Sequence, residues 1–508
     1  MLSKKRLGRA NGVTLTVLGS LTLLAALVWS LRGEAEEQPL AGSLTLYCAA
    51  GLKPPVEAAA REYEERYGVR VDITYGGSGT LLSSLKVAES GDLYLAADES
   101  YCELARAEGL ARESFPLAIM SPVVGVQRGN PKGIARVADL LGPEVRLGVA
   151  NPEAAAAGRV VRAALTGSGD WDKVQRAAKV TKPTVMDLAN DLNLGSLDAA
   201  LVWDSTVNQF DELGGVELPE FEGWSKSVTI CVLESSTEPT AALRFCRFLS
   251  ARDAGLPLFE EMGYEPVQGD LWEERPELLL FSGGMLNAAI DDTVRAFEER
   301  EGVSVTRVYN GCGILVAQMN AGASPDAYFS CDQTFLDVVS ERFQPGTTVS
   351  SNRMVILVRK GNPSGIRGLE DLCVPGLEVG LGHPEKSALG ALSYSVFEEA
   401  GLSERLKASG NVILDSATGD FLVNQMRTGS LDAVIVYRSN AAAALEDVDL
   451  VEIDRPGALA TQPFAISHAT EHKHTLARLL DAISIASSRE RFDALGFGWE
   501  REHKEGSK

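Results

Sequence analysis

The chain has 508 residues and a mass of 54.2 kDa, enough for two large domains or about three ordinary ones. Hydrophobic residues make up 45% and charged residues 23%, so a packed core is available and the composition argues against a disordered chain. With 48 Lys and Arg against 70 Asp and Glu, the net charge of −22 repels phosphate backbones and argues against a nucleic-acid partner.

At the N-terminus, Lys4, Lys5, Arg6 and Arg9 precede an uncharged run from Asn11 to Leu31, and Glu34, Glu36 and Glu37 follow it. The run is long enough to cross a bilayer as one helix, and the flanking charges place the bulk of the chain outside. Residues 1–40 are expected to be a cytoplasmic stub, transmembrane anchor and linker, with a cleaved signal peptide as the alternative.

The rest of the chain is a duplication. GNPKGI at 129–134 returns as GNPSGI at 361–366, and GSLDAALVW at 195–203 returns as GSLDAVIVY at 429–437. LTLYCAAGL (44–52) parallels LLLFSGGML (278–286), YGGSGTL parallels YNGCGIL, and DLYLAADESY (92–101) parallels DAYFSCDQTF (326–335). A period this long means two whole domains, not a solenoid. The polar, Pro-containing segment 269–277 is the expected linker.

Within a copy, LTLYCAA is a strand and PPVEAAAREYEERYG an amphipathic helix stopping at Gly68. VRVDITY, the helix TLLSSLKVAES and the strand DLYLAA follow. This alternation predicts a mainly parallel α/β sheet. LAIMSPVVGVQRG and its counterpart SSNRMVILVRKG read as long strands crossing to a second lobe. Each copy is therefore expected to hold two α/β lobes joined by two crossings, with a cleft between them.

Strand-to-helix turns gather at the carboxyl edge of such sheets, where ligands bind. In the first copy these are Ala49–Leu52, Gly76–Thr80 and Asn151–Gly158. Their small residues leave helix-start N–H groups exposed, an arrangement that favours an anion. No Lys or Arg lies in the turns, so the expected site is neutral and rich in donors. The alternative is that Gly and Ser serve here as ordinary turn residues.

Both copies resemble the periplasmic molybdate-binding protein family of ABC transporters, a type II solute-binding fold. The resemblance rests on YCAAGL, YGGSGTL, GDLYLAADES, GVANPEAAAAG and LVWDS or IVYRS, in that order. It covers about 43–265 and 277–499 and implies domains at 41–268 and 277–499. The implied fold class is α/β, a tandem duplication of a two-lobed type II periplasmic-binding-protein fold, preceded by one N-terminal transmembrane helix. It also implies ligand-binding positions. The first-turn Ser of the family falls on Gly51 and Met285, the second-turn Ser on Ser78 and Cys312. Backbone donors fall on Ala157 and Leu389 and near Val185 and Gly419, and the Tyr hydroxyl falls on Trp203 and Tyr437. The first copy thus keeps an altered pocket, while the second puts Met285 and Cys312 where hydroxyls belong.

Seven cysteines are present, none in a CxxC motif, so zinc ribbons and thioredoxin-type sites are not supported. Cys312 with Cys331, and Cys48 with Cys102, border the same clefts in this fold and are candidates for pairing, against the alternative of buried thiols; Cys231 and Cys246 are open in the same way. His468, His472 and His474 form HxxxHxH. The first copy has no histidine there, so a helix start is expected, capped by Thr470 with Glu471 in its first turn, rather than a metal site. Asp98 and Asp332 are expected to cap helices. No nucleophile–base pair or carboxylate pair stands out, so no enzyme activity and no cofactor are expected. The expected function is extracytoplasmic capture of a small oxyanion, molybdate- or tungstate-like, for an ABC permease, from a single-pass anchor in the cell membrane. The alternative is a membrane-anchored sensory or interaction ectodomain with degenerate pockets.

Overall fold

The structure, a computed structural model, describes residues 42–500, so the anchor or signal expected at 1–40 lies outside the described residues. Among the described residues no helix is long and apolar enough to cross a membrane.

The first repeat opens on the strand Ser43–Ala49, which buries Leu44, Leu46 and Cys48 at alternate positions. A single 3₁₀ turn, Ala50–Leu52, leads into the helix Lys53–Tyr67. Prolines at its first positions need no N–H partner there, and Val56, Ala59, Ala60 and Tyr63 form its buried stripe. Gly68, at φ 69°, ends it in the left-handed conformation, as the sequence predicts. The strands Arg70–Gly76 and Leu93–Ala96 pair parallel to Ser43–Ala49 on either side. Lys226–Leu233 and Ala111–Met120 extend this six-stranded sheet in antiparallel fashion. A separate five-stranded sheet builds the second lobe, with Leu147–Ala150 parallel to Val180–Lys182 and Ala199–Trp203, and Pro122–Gln127 antiparallel.

The second repeat repeats this plan with one difference. Its crossing strand, Thr347–Arg359, is continuous and joins both lobes into one ten-stranded sheet. In the first repeat the expected long strand is broken at Ser121 into Ala111–Met120 and Pro122–Gln127. Pro122 has no N–H to offer a ladder, and Met354 stands opposite Tyr437 as Pro122 stands opposite Trp203.

The segment between the repeats is packed rather than loose. The Leu271 N–H donates to the Glu471 carbonyl, and the Trp272 indole donates to the Tyr67 hydroxyl at 2.8 Å. The helix Pro239–Leu249 of the first repeat lies on Asn287–Glu301 of the second. The helix start expected at Thr470 is corrected: the helix is Lys473–Ile483. The reason lies in the segment between the repeats. Asp270 accepts from the N–H groups of His474 and Thr475, both at 2.9 Å, and so supplies the cap from outside. Thr470 instead accepts from the His472 N–H and donates to Asp326, and Glu471 pairs with Arg252.

Candidate functional site

In the first repeat, elements from both lobes end at one cleft. The turn Ala49–Leu52, the Gly76–Ser78 turn and Ala97 come from one lobe. Ala155–Ala157, Thr184, Val185 and Trp203 come from the other, and Met120 stands at the crossing. Three helices start here: Ser78–Ala88, Ala156–Thr166 and Val185–Asn193. The first-turn N–H groups of a helix have no partner within it, so the cleft collects donors and the positive ends of three dipoles. Gly51, Ser78, Ala157, Val185 and Trp203, singled out from the sequence, all line it, and no lining residue is ionisable as an acid or base. The cavity at the cleft is about 20 Å³, room for about one water molecule.

Ser78 is buried and its Oγ accepts from the Ala97 N–H at 3.2 Å, which leaves the hydroxyl proton to give. The Tyr94 hydroxyl donates to the Ser78 carbonyl at 2.8 Å and fixes the turn. The Tyr264 hydroxyl and the Gln209 amide both donate to the Gly51 carbonyl, clamping the first turn from the end of the repeat. Sequence reasoning missed Met120, Ala97 and Thr206. The Thr206 hydroxyl is buried without a partner, and a Cβ added at Gly51 would lie 3.9 Å from it. The only sequence signal for it is its place three residues after Trp203.

The lobes meet directly. The N–H of Gly79 donates to the Ala154 carbonyl across the cleft at 2.9 Å. A Cβ on Gly77 would collide with the carbonyls of Ala154 and Pro183, and one on Gly79 with that of Glu153. The second repeat has the same lip: Gly311 faces the carbonyls of Lys386 and Ala417, and Gly313 that of Glu385. Glycine at these four positions is what lets the two lobes approach this closely.

The second cleft differs inside. Met285 packs on Cys312, Cys331 and Ala388, with Cys312 fully buried. Leu389 is buried in the second lobe's core, and Gly419 lies against the Asn440 amide. Tyr437 is 2% exposed and its hydroxyl has no partner; burial first, then Cys331, Asp332 and Cys312 nearby, push that phenol well up. Asn352, at the position of Met120, is also buried with neither amide atom partnered.

All seven cysteines are free thiols. Cys102 lies beside Cys231, donating to the Thr229 carbonyl at 3.4 Å, rather than paired with Cys48. Asp98 and Asp332 cap helices by accepting from the N–H groups of Ser100 and Thr334, each at 3.0 Å. His472 is buried near Glu273, and His474 Nε2 meets the Gln268 carbonyl. Among the described residues no three His, Cys, Asp or Glu side chains converge as a metal site.

A family model described as bacterial extracellular solute-binding protein matches residues 44–265 and, a second time, 278–498. A Haemophilus influenzae protein named as a binding protein is 31% identical over 232 residues, which is 45% of this chain and 93% of that protein. The molybdate-binding protein of Mycobacterium tuberculosis is 25% identical over 225 residues, 43% of this chain and 84% of its own. Among solved structures, the periplasmic molybdate-binding protein of Azotobacter vinelandii aligns over 44% of this chain and 98% of its own, at 20% identity and a TM-score of 0.38.

Proposed function

The chain belongs to the bacterial extracellular solute-binding protein family, in two tandem copies, and from that premise we propose that its first cleft captures a small dehydrated oxyanion, molybdate- or tungstate-like, for the permease of an ABC transporter. The observation that carries this reading is the lining: three helix starts and a Ser hydroxyl, with no ionisable side chain among them. Dipoles and N–H donors then hold the charge, and a low-dielectric enclosure strengthens each of them. The net charge of −22 does not oppose this, because binding is decided by the donors within a few ångströms. Closure over the ion joins contacts from both lobes, so ligand binding and lobe closure are one equilibrium.

The test is a thermal-shift series on the whole chain with molybdate, tungstate, sulfate and phosphate, followed by calorimetric titration. Molybdate and tungstate should raise the unfolding temperature, and Ser78→Ala should weaken the effect. If none of the four anions moves the transition, the reading is wrong.

A second reading, a membrane-anchored sensory or interaction ectodomain, draws its support from the second cleft, where Met285 and Cys312 replace hydroxyl-bearing positions. It predicts no anion response at all in the same series.

A further inference from the structure

The two clefts differ at matched positions in a consistent way. Gly51, Ser78 and Ala97 of the first correspond to Met285, Cys312 and Cys331 of the second. Three sulfur side chains have entered one cleft of a chain that holds only 7 Cys and 8 Met in all. The backbone has changed with them. Ala49 of the first repeat corresponds to Gly283, and a Cβ on Gly283 would occupy the place of the Cys331 sulfur. The thiol thus fills a space that the first repeat gives to a methyl group.

The two cysteines are in contact. The Cys331 N–H donates to Cys312 Sγ at 3.2 Å, the Ser330 hydroxyl approaches the same sulfur at 3.8 Å, and the Met285 side chain packs against the cluster they form with Ala388. Beside them the buried Tyr437 hydroxyl is unpartnered, and a buried polar group of this kind asks for an occupant. Nothing here suits a tetrahedral oxyanion. Two thiols and a thioether are soft donors, and soft donors select a soft cation. Zinc would need further His, Cys, Asp or Glu ligands beside the two cysteines, and no third such side chain converges here among the described residues.

We propose that the second cleft is a soft-metal site that holds one monovalent copper ion between the sulfurs of Cys312 and Cys331, with the Met285 thioether as third ligand and Tyr437 beside it. Binding is an exchange without electron transfer: Cu⁺ forms two copper–thiolate bonds, and each thiol that was protonated releases its proton to solvent. Two thiolates and one Cu⁺ leave a net charge of −1, which the Tyr437 hydroxyl is placed to meet. The proposal does not depend on the anion reading of the first cleft.

The test uses the full chain, reduced and with its thiols counted in denaturant, titrated anaerobically in ascorbate against the Cu⁺ complex of bathocuproine disulfonate. One equivalent of Cu⁺ should leave the probe. Cys312→Ser and Cys331→Ser should each weaken uptake by more than the roughly tenfold to hundredfold that loss of an outer partner costs. Met285→Leu should weaken it less. X-ray absorption of the wild-type complex should show sulfur neighbours only, which keeps the test independent of how the variants fold. The proposal is overturned if the reduced chain takes no Cu⁺ from the probe. It is equally overturned if uptake survives both serine variants, or if the isolated chain carries a Cys312–Cys331 disulfide and still ignores Cu⁺ after reduction. A thermal response to molybdate that persists in Cys312→Ser separates failure of this site from failure of the first.

Discussion

Glu301 of the second repeat is buried against Arg247 of the first, whose guanidinium meets both its carbonyl and its carboxylate. Arg478 completes the group, donating from Nε at 2.6 Å and Nη2 at 3.1 Å, and it lies 4.0 Å over the Phe115 ring of the first repeat. Nearby, Arg300 donates to Glu113 and Thr240 to the Glu299 carbonyl. The first lobes of the two repeats are therefore joined into one base, and each second lobe hangs from it by its own crossings. Removing one member of a buried ion group leaves the others unpaired, which costs about 3–5 kcal/mol. Glu301→Ala should lower stability by that amount in a urea titration, and should split one unfolding transition into two. A change under about 1 kcal/mol would show that the contact does not hold the repeats together.

The same residue sets an acid dependence. Burial alone would raise the Glu301 carboxyl, but Arg478 and then Arg247 outweigh it and hold it below the usual carboxylate range. A group depressed in the folded state contributes stability above its unfolded value, about 4.3, and loses it as pH falls through the folded value. Stability of the wild type should therefore fall on acidification through and below that window. Glu301→Gln, which cannot titrate, should show a flatter acid limb from a lower plateau. Identical slopes for the two would disprove the assignment.

Closure rests on Gly79 and Gly313, which face the carbonyls of Glu153 and Glu385 across the two clefts. Both glycines sit in the first turn of a helix, where alanine costs the helix nothing and gains up to about 1 kcal/mol of local propensity. Gly79→Ala should accordingly leave the unliganded chain as stable as before, yet hold the first cleft open. Small-angle scattering should show no compaction on adding ligand, and the anion-induced thermal shift should disappear. Unchanged affinity would mean that the lobes close by another route.

The duplication, the parallel sheets and the cleft edges are legible in the sequence because each depends on local signals that occur twice in the same order. The first-cleft positions Gly51, Ser78, Ala157, Val185 and Trp203 came from the family resemblance, and they line one cleft because each stands where a strand ends or hands over to a helix. Thr206, Met120 and Asn352 carry no such mark, since their place at the cleft comes from the crossing and from folding of the second lobe. The true start of the helix at Lys473 is illegible for the same reason, because its cap, Asp270, lies about 200 residues away in the segment between the repeats. The break at Ser121 is the case where a local signal was present in Pro122 and a strand pattern masked it.

Ser78 offers a direct measure of the first cleft. Its hydroxyl already accepts from the Ala97 N–H, so only its proton is free for a ligand. A hydrogen bond to a charged acceptor is worth about 1.5–3 kcal/mol. Ser78→Ala should therefore weaken oxyanion affinity by roughly tenfold to a hundredfold in a calorimetric titration. An effect below about twofold would remove Ser78 from the site.

Gly51 allows the opposite experiment, a gain. A Cβ at this position would meet Val185 Cγ2 at 3.4 Å and Thr206 Oγ1 at 3.9 Å, both ordinary contact distances. The turn around it is held through its carbonyl by Tyr264 and Gln209, so a side chain added there does not disturb what fixes the backbone. Gly51→Ser would put a hydroxyl near the buried, unpartnered Thr206 hydroxyl, on a turn that lines the first cleft. One added charge-assisted donor should tighten oxyanion binding by about 1.4 kcal/mol, close to tenfold, in calorimetry. The serine has to lose little rotamer freedom to do so, since Val185 confines it on one side. If affinity for molybdate falls instead, the first turn does not face the ligand, and the donor count that underlies the oxyanion reading is wrong at its first position.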